Sequence, residues 1–353
     1  MHLLEKNQSD LSTILAIESS CDETAAAICR DGFIFSNVIA NQTIHQQWGG
    51  VVPELASRAH LQNIVPTVQG ALSEAGKKLG QTIQLSDLDA IAFTQSPGLI
   101  GSLLVGAQFA KSMALALNIP LIAVHHMQAH VLANLIPGEN RQIPSFPFLC
   151  LTVSGGHTQI ILCTSPNELK VLGETIDDAA GEAFDKSGKL LGLPYPAGPI
   201  IDQYAKNGNP QRFKFAEPNI PELGFSFSGL KTSILYFIQD HIKEDPQFIQ
   251  KNLADLCASI QQTIIDILLK KLKRAAAITG VKDICLAGGV SANSGLRAAF
   301  QSLGEQQHWR TYIPPFEYCT DNAAMIAITG YYKFLGKDFA PLTVSPSAKA
   351  EFT

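Results

Sequence analysis

The chain has 353 residues, of which 46% are hydrophobic and only 16% charged, and its formal net charge is −5 at pH 7. A chain this long and apolar can bury a large core, which excludes a disordered protein. At about 150 residues per domain, its length predicts two domains. The negative charge excludes nucleic-acid binding through bulk positive charge, so such a partner requires a local basic patch or an accessory subunit.

Neither a membrane span nor a secretion signal is predicted. The most apolar stretch, residues 99–122, is interrupted by Gln108, Lys111, Asn118 and Pro120, well short of about 18 uninterrupted apolar residues. The amino terminus lacks a basic region followed by an apolar core. The seven cysteines form no CxxC pair. Four of them lie in apolar, strand-like segments: Cys29, Cys150, Cys163 and Cys285. We therefore expect buried free thiols and a reducing compartment, the cytoplasm or an organelle matrix, of which we predict the cytoplasm.

Strands and helices alternate along the first half of the chain. A strand at residues 14–17, a polar turn at 18–24 and a returning strand at 25–29 predict a hairpin. The later predicted elements are a strand at 33–40, a helix at 53–75, a strand at 89–94, a loop at 95–98, a helix at 103–117, a strand at 120–124 and a helix at 125–135. Pro66 should kink or split the helix that contains it.

The second half begins on the same plan, with a strand at 148–153, a turn at 154–158 and a returning strand at 159–163. The later predicted elements are a strand at 170–176, helices at 178–191, 200–206, 229–240 and 252–278, a strand at 283–286, and helices at 291–302 and 321–334. Two hairpins that each head a series of strands and helices predict an α/β protein with two domains of similar architecture. The polar linker at 140–144 places the domains at residues 1–144 and 145–353.

The strongest local motif is the histidine-rich segment at residues 125–130. Residues four apart share one face of a helix, so His126 and His130 can hold one metal ion, while His125 lies off that face. An isolated pair of this kind is more often a polar helix face with hydrogen-bonded histidines. A metalloprotease of the HExxH type needs Glu directly after the first histidine, and Met127 stands there instead.

Two glycine-rich turns are candidate phosphate-binding sites, because such turns present backbone N–H groups. The turn at 154–158 joins two strands, and the turn at 288–293 joins a strand to a helix. Taken singly, either one is more often an ordinary turn. A cleft between duplicated domains would bring both of them, with the turn that contains Asp22, to one nucleotide.

Five acidic residues are further candidates: Asp22, Glu23, Asp185, Asp202 and Asp321. Each has a structural alternative when taken alone. Asp185 could form an ion pair on a solvated helix face, and Asp321 could cap the last helix. Only their occurrence together with the histidine pair and the glycine-rich turns favours a functional site.

Together these segments resemble the TsaD family, formerly called Gcp or O-sialoglycoprotein endopeptidase. The matching segments follow the family's order from residue 14 to about 335 and comprise residues 17–24, 125–130, 153–158, 181–186, 288–290 and 319–322. The resemblance implies a duplicated actin/Hsp70/sugar-kinase-like (ASKHA) α/β fold, with a nucleotide cleft between two domains. It also implies that a C-terminal helix at about residues 321–336 packs back on the first domain.

The activity implied by the resemblance is that of a tRNA N6-adenosine threonylcarbamoyltransferase. Such an enzyme moves the threonylcarbamoyl group from threonylcarbamoyl-AMP to N6 of adenosine 37, in tRNAs that read codons beginning with A. The exocyclic adenine amine is a poor nucleophile because its lone pair is delocalised, and the mixed anhydride with AMP supplies the activated donor.

The family pattern also assigns site residues. His126, His130 and Asp321 match the ligands of one divalent metal ion, iron or zinc, since two imidazoles and one carboxylate suit both. Positions that match substrate contacts are Thr152, Val153, Ser154, Gly155, Gly156, Asp185, Gly198, Asp202 and Asn293. Additional candidates around the nucleotide are His157, Gly288 and Gly289. Asp22 or Glu23 is expected to orient or deprotonate the attacking amine.

Two residues depart from the pattern of the family. Gln128 stands within the histidine motif where many bacterial relatives have Glu, and Ser19 replaces a common Thr in the first hairpin. The change at Gln128 bears on the tuning of the metal and leaves the ligands in place.

The resemblance further implies tRNA, an inactive paralogue of the same fold and a small P-loop ATPase as partners, and no membrane. A basic run at residues 270–274 is a candidate tRNA contact, although such runs usually form a solvated helix face. The main alternative function is an ATP-dependent small-molecule kinase of the same fold, which would not need the histidine pair. A protease is disfavoured by the missing HExxH base, and a non-catalytic scaffold by the presence of all three ligand residues.

Overall fold

The structure is a computed structural model that describes residues 12–42, 45, 48, 50–139, 141–218 and 220–349. The chain divides into two compact units, one formed by Met1–Ile143 with Asp321–Thr353 and the other by Pro144–Thr320. Each unit contains a five-stranded sheet together with helices. The α/β class predicted from the sequence is confirmed.

The sheet of the first unit has the strand order β3-β2-β1-β4-β5. Its strands are β1 (Thr13–Glu18), β2 (Thr24–Arg30), β3 (Phe33–Ala40), β4 (Ala90–Ser96) and β5 (Leu121–His125). β1 and β2 form the predicted antiparallel hairpin, whereas β1, β4 and β5 run parallel. The carboxyl ends of these three parallel strands therefore lie at one edge of the sheet, where ligands bind in many α/β folds.

The sheet of the second unit has the order β10-β9-β6-β7-β8. Its strands are β6 (Phe148–Val153), β7 (Thr158–Ser165), β8 (Glu168–Glu174), β9 (Asp283–Ala287) and β10 (Arg310–Tyr312). β6 and β7 form the second predicted hairpin, and β6, β9 and β10 run parallel. The two sheets thus have the same topology, with β1 to β5 corresponding to β6 to β10, as expected for a duplicated architecture. The strand β10 was not predicted.

The helices, in chain order, are α1 (Pro53–Leu79), α2 (Ile100–Leu117), α3 (His126–Leu132), α4 (Ala180–Leu190), α5 (Gly198–Ala205), α6 (Ser228–Glu244), α7 (Phe248–Thr279), α8 (Ser294–Gln307) and α9 (Ala323–Leu335). Short 3-10 turns lie at Leu85–Asp87, Ala133–Leu135, Gly289–Ala292 and Phe316–Tyr318. The backbone of α7 departs from helical geometry at Asn252.

Burial explains why the strands of the first sheet are almost continuously apolar. All six residues of β1 are buried. Leu15 and Ile17 belong to the apolar core that this sheet shares with α1 and α2, and α9 packs against β1 and β2. Since α9 is apolar and buried from Ala323 to Gly330, it behaves as a core helix of the first unit.

Three helix predictions are corrected by the structure. Helix α1 continues through Pro66 without a break, so the split that was predicted there as the alternative to a kink is wrong. The helix predicted at 125–135 begins at His126 and tightens into a 3-10 turn at Ala133–Leu135. The helix predicted at 291–302 is a 3-10 turn at Gly289–Ala292 followed by α8.

One helix, α2, is long and apolar enough by length and composition to cross a membrane. A core helix passes the same test, and one face of α2 is buried and packs against β4. The predicted cysteine environment is confirmed in that Cys29, Cys150, Cys163 and Cys285 are free and buried. Burial raises the pKa of the Cys29 and Cys150 thiols to about 12, so both remain protonated at neutral pH.

Candidate functional site

Three side chains of the first unit converge at the carboxyl edge of its sheet. His125 ends β5, and α3 begins at the next residue, so His126 and His130 lie one helical turn apart directly beyond the strand. Asp321 lies two residues before α9. The side chain that caps this helix is Asn322, which accepts a hydrogen bond from the Met325 backbone amide, so the capping role considered for Asp321 is wrong.

The three potential ligand atoms face one another. His130 Nε2 lies 3.1 Å from His126 Nε2 and 3.1 Å from Asp321 Oδ1. His126 Nε2 lies 3.4 Å from the same carboxylate oxygen. Ligands held about 2.0–2.1 Å from one ion, at angles of about 90–110°, lie about 2.8–3.4 Å apart. The donor set and its spacing therefore fit one divalent metal ion.

The other ring nitrogen of His126 contacts residues at the end of β1. Nδ1 lies 3.3 Å from Glu18 Oε2 and 3.2 Å from Ser20 Oγ, and all three side chains are buried. Metal-binding histidines usually donate this second N–H to a carboxylate or a carbonyl, which fixes the ring. Glu18 therefore stands where such an orienting carboxylate would stand.

The electrostatics of this cluster follow from its burial and close pairing. Burial by itself lowers the pKa of His126, but Asp321 and Glu18 outweigh it, and the net pKa lies well above the ordinary histidine value. Burial by itself raises the pKa of Asp321, but His126 and His130 outweigh it, and the net pKa lies well below the ordinary value. The close pairing thus favours the charged forms of His126 and Asp321 in spite of the burial of the site.

The predicted acidic pair Asp22 and Glu23 lies in the β1–β2 turn of the same unit. Burial, then the charges of Asp321 and Asp22, raise the pKa of Glu23 to about 9. Glu23 therefore carries a proton at pH 7 and can donate a hydrogen bond. His60 on α1 holds this turn in place, since its two ring nitrogens lie 2.8 Å from Thr24 Oγ1 and 3.0 Å from the Cys21 carbonyl oxygen.

In the second unit, the first glycine-rich turn follows β6. Thr152 and Val153 are the last residues of that strand, and both are buried. The turn closes through the Ser154 amide, which donates to the His157 carbonyl at 2.8 Å, and through the His157 amide, which donates to Ser154 Oγ at 3.1 Å.

The two glycines inside this turn are exposed. Across the described part of the chain, no residue accepts a hydrogen bond from the backbone amide of Gly155 or Gly156. Two exposed, adjacent amides without a protein partner are typical of an anion-binding turn.

The second glycine-rich turn lies beside the first. Gly288 follows β9, which pairs in parallel with β6, and its φ is 84°. A Cβ at Gly288 would overlap the Val153 carbonyl oxygen, so glycine permits this close approach. The structure therefore brings the candidate turns at 154–157 and 288–289 together at the carboxyl edge of the second sheet.

Four further candidates of the second unit, Asp185, Gly198, Asp202 and Asn293, lie at helix N-termini or form hydrogen bonds with them. Asp185 on α4 accepts hydrogen bonds from the backbone amides of Ala197, at 2.7 Å, and Gly198, where α5 begins. Burial raises the pKa of Asp185 in spite of these bonds. Asp202 accepts hydrogen bonds from the amide and hydroxyl of Ser294 at 3.0 and 2.9 Å, at the start of α8.

Asn293 is the N-cap of α8. Its Oδ1 accepts from the Leu296 amide at 2.9 Å, and its Nδ2 donates 2.7 Å to Gln261 Oε1. In this structure Asn293, Asp185 and Asp202 thus all hold helix N-termini. Their predicted contacts with substrate remain predictions.

The basic run at 270–274 is partly engaged within its own unit. Lys271 Nζ donates to the Ile220 carbonyl at 2.6 Å, and Arg274 donates to the Glu222 carbonyl at 3.2 Å. Lys270 lies 3.4 Å from Glu217 Oε2, and Leu272 is buried in the core. This run is therefore tied to the segment before α6, which weakens it as a tRNA contact.

Of the residues around the cluster of His126, His130 and Asp321, Glu18 and Ser20 were missed by the sequence reasoning. Both lie in the hairpin motif that was noted, but Glu18 was counted as part of a polar turn, whereas it ends β1 with its side chain buried. A carboxylate at the last position of a buried parallel strand was the signal that could have identified it. Ser19, the departure noted in this hairpin, donates to the Ser102 carbonyl at 3.1 Å.

Comparison with known proteins gives concordant matches. A family model described as TsaD, tRNA N6-adenosine threonylcarbamoyltransferase, matches residues 33–328. A protein of that name from Christiangramia forsetii is 57% identical over 339 residues, which cover 96% of this chain and 98% of the relative. Its counterpart from Porphyromonas gingivalis is also 57% identical, over 95% of this chain and 97% of the relative.

Among solved structures, full-length HypF in a phosphate- and nucleotide-bound form is similar, with a TM-score of 0.60 at 12% identity. The match covers 92% of this chain and 46% of HypF. HypF from T. kodakarensis matches with a TM-score of 0.59 at 14% identity, over 92% of this chain and 48% of that one. The predicted ASKHA-like two-domain fold is confirmed.

Proposed function

The chain belongs to the TsaD family, and we propose on that premise that it forms N6-threonylcarbamoyladenosine in tRNA. It would transfer the threonylcarbamoyl group from threonylcarbamoyl-AMP to N6 of adenosine 37, in tRNAs that read codons beginning with A. The family acts on tRNA, and membership of the family implies a metal-dependent enzyme.

The observation that carries this proposal is the convergence of His126 Nε2, His130 Nε2 and Asp321 Oδ1 within 3.4 Å of one another. The aspartate is 191 residues away from His130 along the chain. A merely polar helix face would not require a distant carboxylate to lie against both imidazoles. These three residues would hold one divalent ion, iron or zinc, which would act as a Lewis acid on an oxygen of the donor.

The glycine-rich turns of the second unit supply groups that suit the donor. In the transfer, the N6 amine attacks the carbamoyl carbon, the bond from that carbon to the AMP phosphate oxygen breaks, AMP leaves, and N6 loses a proton. The exposed amides of Gly155 and Gly156 would stabilise the negative charge that develops, an effect of about 3 kcal/mol per donor in comparable sites. Gly288, Gly289 and Asn293 would hold the nucleotide end of the donor.

Asp22 is the carboxylate that we assign to the attacking amine. Its neighbour Glu23 has a pKa raised to about 9 by burial and nearby carboxylates, and a group that already carries its proton is a poor acceptor. Asp22 would orient the amine and take its proton, while Glu23 would donate a hydrogen bond.

A small-molecule kinase of the same fold is the alternative that the comparisons do not favour. Each curated relative reported above carries the transferase name, at 57% identity over nearly the whole chain. Sugar-dependent ATP turnover by the purified protein, without any modification of tRNA, would support the kinase instead.

The partners and the compartment belong to the same proposal. An inactive paralogue of the same fold and a small P-loop ATPase would assist the reaction, and they would supply part of the tRNA-binding surface of a chain whose net charge is −5. The site of action would be the cytoplasm, and no membrane would be involved. Copurification of the tagged chain from its own cells tests both partners at once.

Mass spectrometry of tRNA nucleosides tests the proposed activity. Cells that lack this gene should lose threonylcarbamoyladenosine from bulk tRNA, and the wild-type gene should restore it. A gene carrying Asp321→Asn should fail to restore it, although the protein accumulates to a normal level. Unchanged threonylcarbamoyladenosine in the deletion strain would refute the proposal.

A further inference from the structure

We propose that Glu18 is a positioning residue of the metal centre, which holds the His126 ring so that Nε2 faces the ion. The inference rests on the proposed metal site and extends it to a residue outside the ligand set. Glu18 lies 108 positions before His126 in sequence, yet its carboxylate lies 3.3 Å from the ring nitrogen that faces away from Asp321.

The Glu18 carboxylate is itself fixed by hydrogen bonds. Oε1 accepts from the Ser20 amide at 2.6 Å, and Oε2 accepts from Thr94 Oγ1 at 2.5 Å. Thr94 lies on β4, the parallel neighbour of β1, so two adjacent strands set the position of the carboxylate. A carboxylate held in this way imposes a direction on the histidine ring.

The chemistry of the contact determines which nitrogen of His126 carries hydrogen. An ionised carboxylate only accepts hydrogen bonds, so its bond to Nδ1 requires a hydrogen on Nδ1. When the ring is neutral, Nε2 then keeps its lone pair, as a metal ligand must. The Ser20 hydroxyl, 3.2 Å from the same Nδ1, can accept from it as a second partner.

The burial of Glu18 also points to a specific role. Its side chain is buried, and across the residues that the structure describes, no Lys or Arg forms an ion pair with it. A buried carboxylate without a cationic partner is costly to keep. Among the described residues, the titratable side chain that the Glu18 carboxylate contacts directly is His126, at 3.3 Å, so the carboxylate serves the ring that it contacts.

The two histidines of the pair differ in whether the second ring nitrogen, Nδ1, has a hydrogen-bond partner. His130 Nδ1 is buried, and no described residue forms a hydrogen bond with it. Of the two rings, only His126 is held through its second nitrogen by described side chains. Changes at Glu18 should therefore act on the metal through His126 alone.

Three variants separate this role from a purely structural one. Glu18→Gln keeps the size of the side chain but replaces one carboxylate oxygen with the nitrogen of the side-chain amide. That nitrogen must face either the Ser20 backbone amide or the side chains of His126 and Thr94. Thr94→Val is the matched control, because it removes one of the two hydrogen bonds that fix the Glu18 carboxylate but leaves the carboxylate, still bonded to the Ser20 amide, to accept from His126. Ser20→Ala removes only the second partner of Nδ1.

The measurement is the affinity of the full-length, metal-stripped protein for Zn²⁺, by competition with a chromogenic chelator and without tRNA or donor. We expect Glu18→Gln to weaken binding 10–100-fold, with both Thr94→Val and Ser20→Ala within about fivefold of the wild type. Affinity of Glu18→Gln within twofold of the wild type would overturn the inference. A loss in Thr94→Val equal to that in Glu18→Gln would also overturn it, since any disturbance of the network would then suffice.

If Glu18→Gln fails to fold, a spectroscopic measurement on the wild-type protein still tests the inference. ¹⁵N NMR of the Zn²⁺-loaded wild-type protein, labelled at histidine, should show His126 protonated at Nδ1 and bound through Nε2, and binding through Nδ1 would overturn the inference. A failure of the proposed metal site gives a different result from a failure of this inference. If the proposed site is wrong, the wild-type protein binds no Zn²⁺ through His126 and His130.

Discussion

At the scale of single residues, Gly288 is the position where backbone conformation and close packing coincide. Its φ of 84° disfavours any residue with a Cβ, and that Cβ would overlap the Val153 carbonyl oxygen. Gly288→Ala should therefore lower the free energy of unfolding by about 1–3 kcal/mol, in the range of strained backbone positions. Urea denaturation followed by circular dichroism measures the loss.

The next residue provides the control. Gly289 has no positive φ, and a Cβ there would meet no atom within 4 Å. Gly289→Ala should change the free energy of unfolding by less than about 0.5 kcal/mol. Equal effects of the two substitutions would contradict the packing described for this turn.

Asp283 links protein stability to pH in the second unit. Its buried carboxylate accepts two hydrogen bonds from Arg310, at 2.5 and 2.7 Å, and one from Tyr312 at 2.9 Å. Burial by itself raises the pKa of Asp283, but the bonds from Arg310 and Tyr312 outweigh it, and the pKa is lowered. A carboxyl with a lowered folded-state pKa stabilises the protein above its unfolded-state pKa, about 3.9, and that stability is lost as pH falls through the folded-state value.

Asp283→Asn should thus destabilise the protein by about 1–3 kcal/mol at pH 7, since hydrogen bonds to a charged group are lost. The difference from the wild type should shrink as the pH falls below about 3.9, where the unfolded-state carboxyl becomes protonated, and should vanish only below the lower folded-state pKa. Urea titrations of both proteins at pH 7 and pH 3 make the comparison. A difference that is the same at both pH values would argue against an ionised Asp283 as its source.

Individual site residues could be predicted to different extents. The His126 and His130 pair follows from helical spacing alone, because residues four apart share a face. Asp321 could be paired with them only through the family resemblance, since nothing local marks a carboxylate 191 residues away in sequence. Asp202 and Asn293 were assigned to substrate, and the structure adds a capping role at α8 that their spacing of 91 residues could not reveal.

At the scale of elements, the chain after α9 returns to the first sheet. Ala340 bridges Leu121 in β5, and its amide donates to the Leu121 carbonyl at 2.8 Å. The Ser347 amide donates to the Gln95 carbonyl at 3.1 Å, and Val344 packs against the core. This segment, residues 340–349, therefore acts as an edge strap on β4 and β5.

Removal of residues 340–353 should lower the free energy of unfolding by about 2–4 kcal/mol, from the lost hydrogen bonds and the exposed core. The strap also contacts the loop at 95–98, and the next residue, Leu99, donates its amide hydrogen to the Ser20 carbonyl at 2.8 Å. Zn²⁺ binding should therefore weaken as well. Thermal unfolding and chelator competition measure the two effects.

A point variant serves as the control for this deletion. Leu342 lies in the same segment and is 45% exposed. Leu342→Ala should leave both stability and Zn²⁺ affinity near the wild-type values. If the deletion behaved like Leu342→Ala, the strap would have no structural role.

The elements themselves could largely be predicted from hydrophobic patterning, and the errors have physical causes. β10 was missed because it has only three residues, Arg310–Tyr312, and none of them is buried. The duplication should have predicted it, since every strand of the first sheet has a counterpart in the second. α1 was expected to break at Pro66, but its packing against β2 and β3 outweighs the one hydrogen bond that proline removes.

At the scale of the whole molecule, each unit places its candidate groups at the same topological position. In the first unit the turn with Ser20 and Asp22 follows β1 and the histidine pair follows β5, and in the second the glycine-rich turns follow β6 and β9. Parallel strands that end at one edge make this the natural position for a ligand site. The repeated hairpin made the two-unit plan predictable, while composition alone would have given only a chain with a large core.

The proposed reaction requires the cluster of His126, His130 and Asp321 to hold the metal on which transfer to tRNA depends. The matched control is His308→Asn, which changes a histidine at the end of α8 whose φ of 54° suits asparagine.

The most direct test supplies purified protein with its partners, threonylcarbamoyl-AMP and unmodified tRNA. It measures both bound metal per chain and the rate of threonylcarbamoyladenosine formation. We expect His126→Ala and His130→Ala each to lose the metal and at least about 100-fold of the rate, and His308→Asn to retain both. A near-normal rate in either alanine variant would contradict the account.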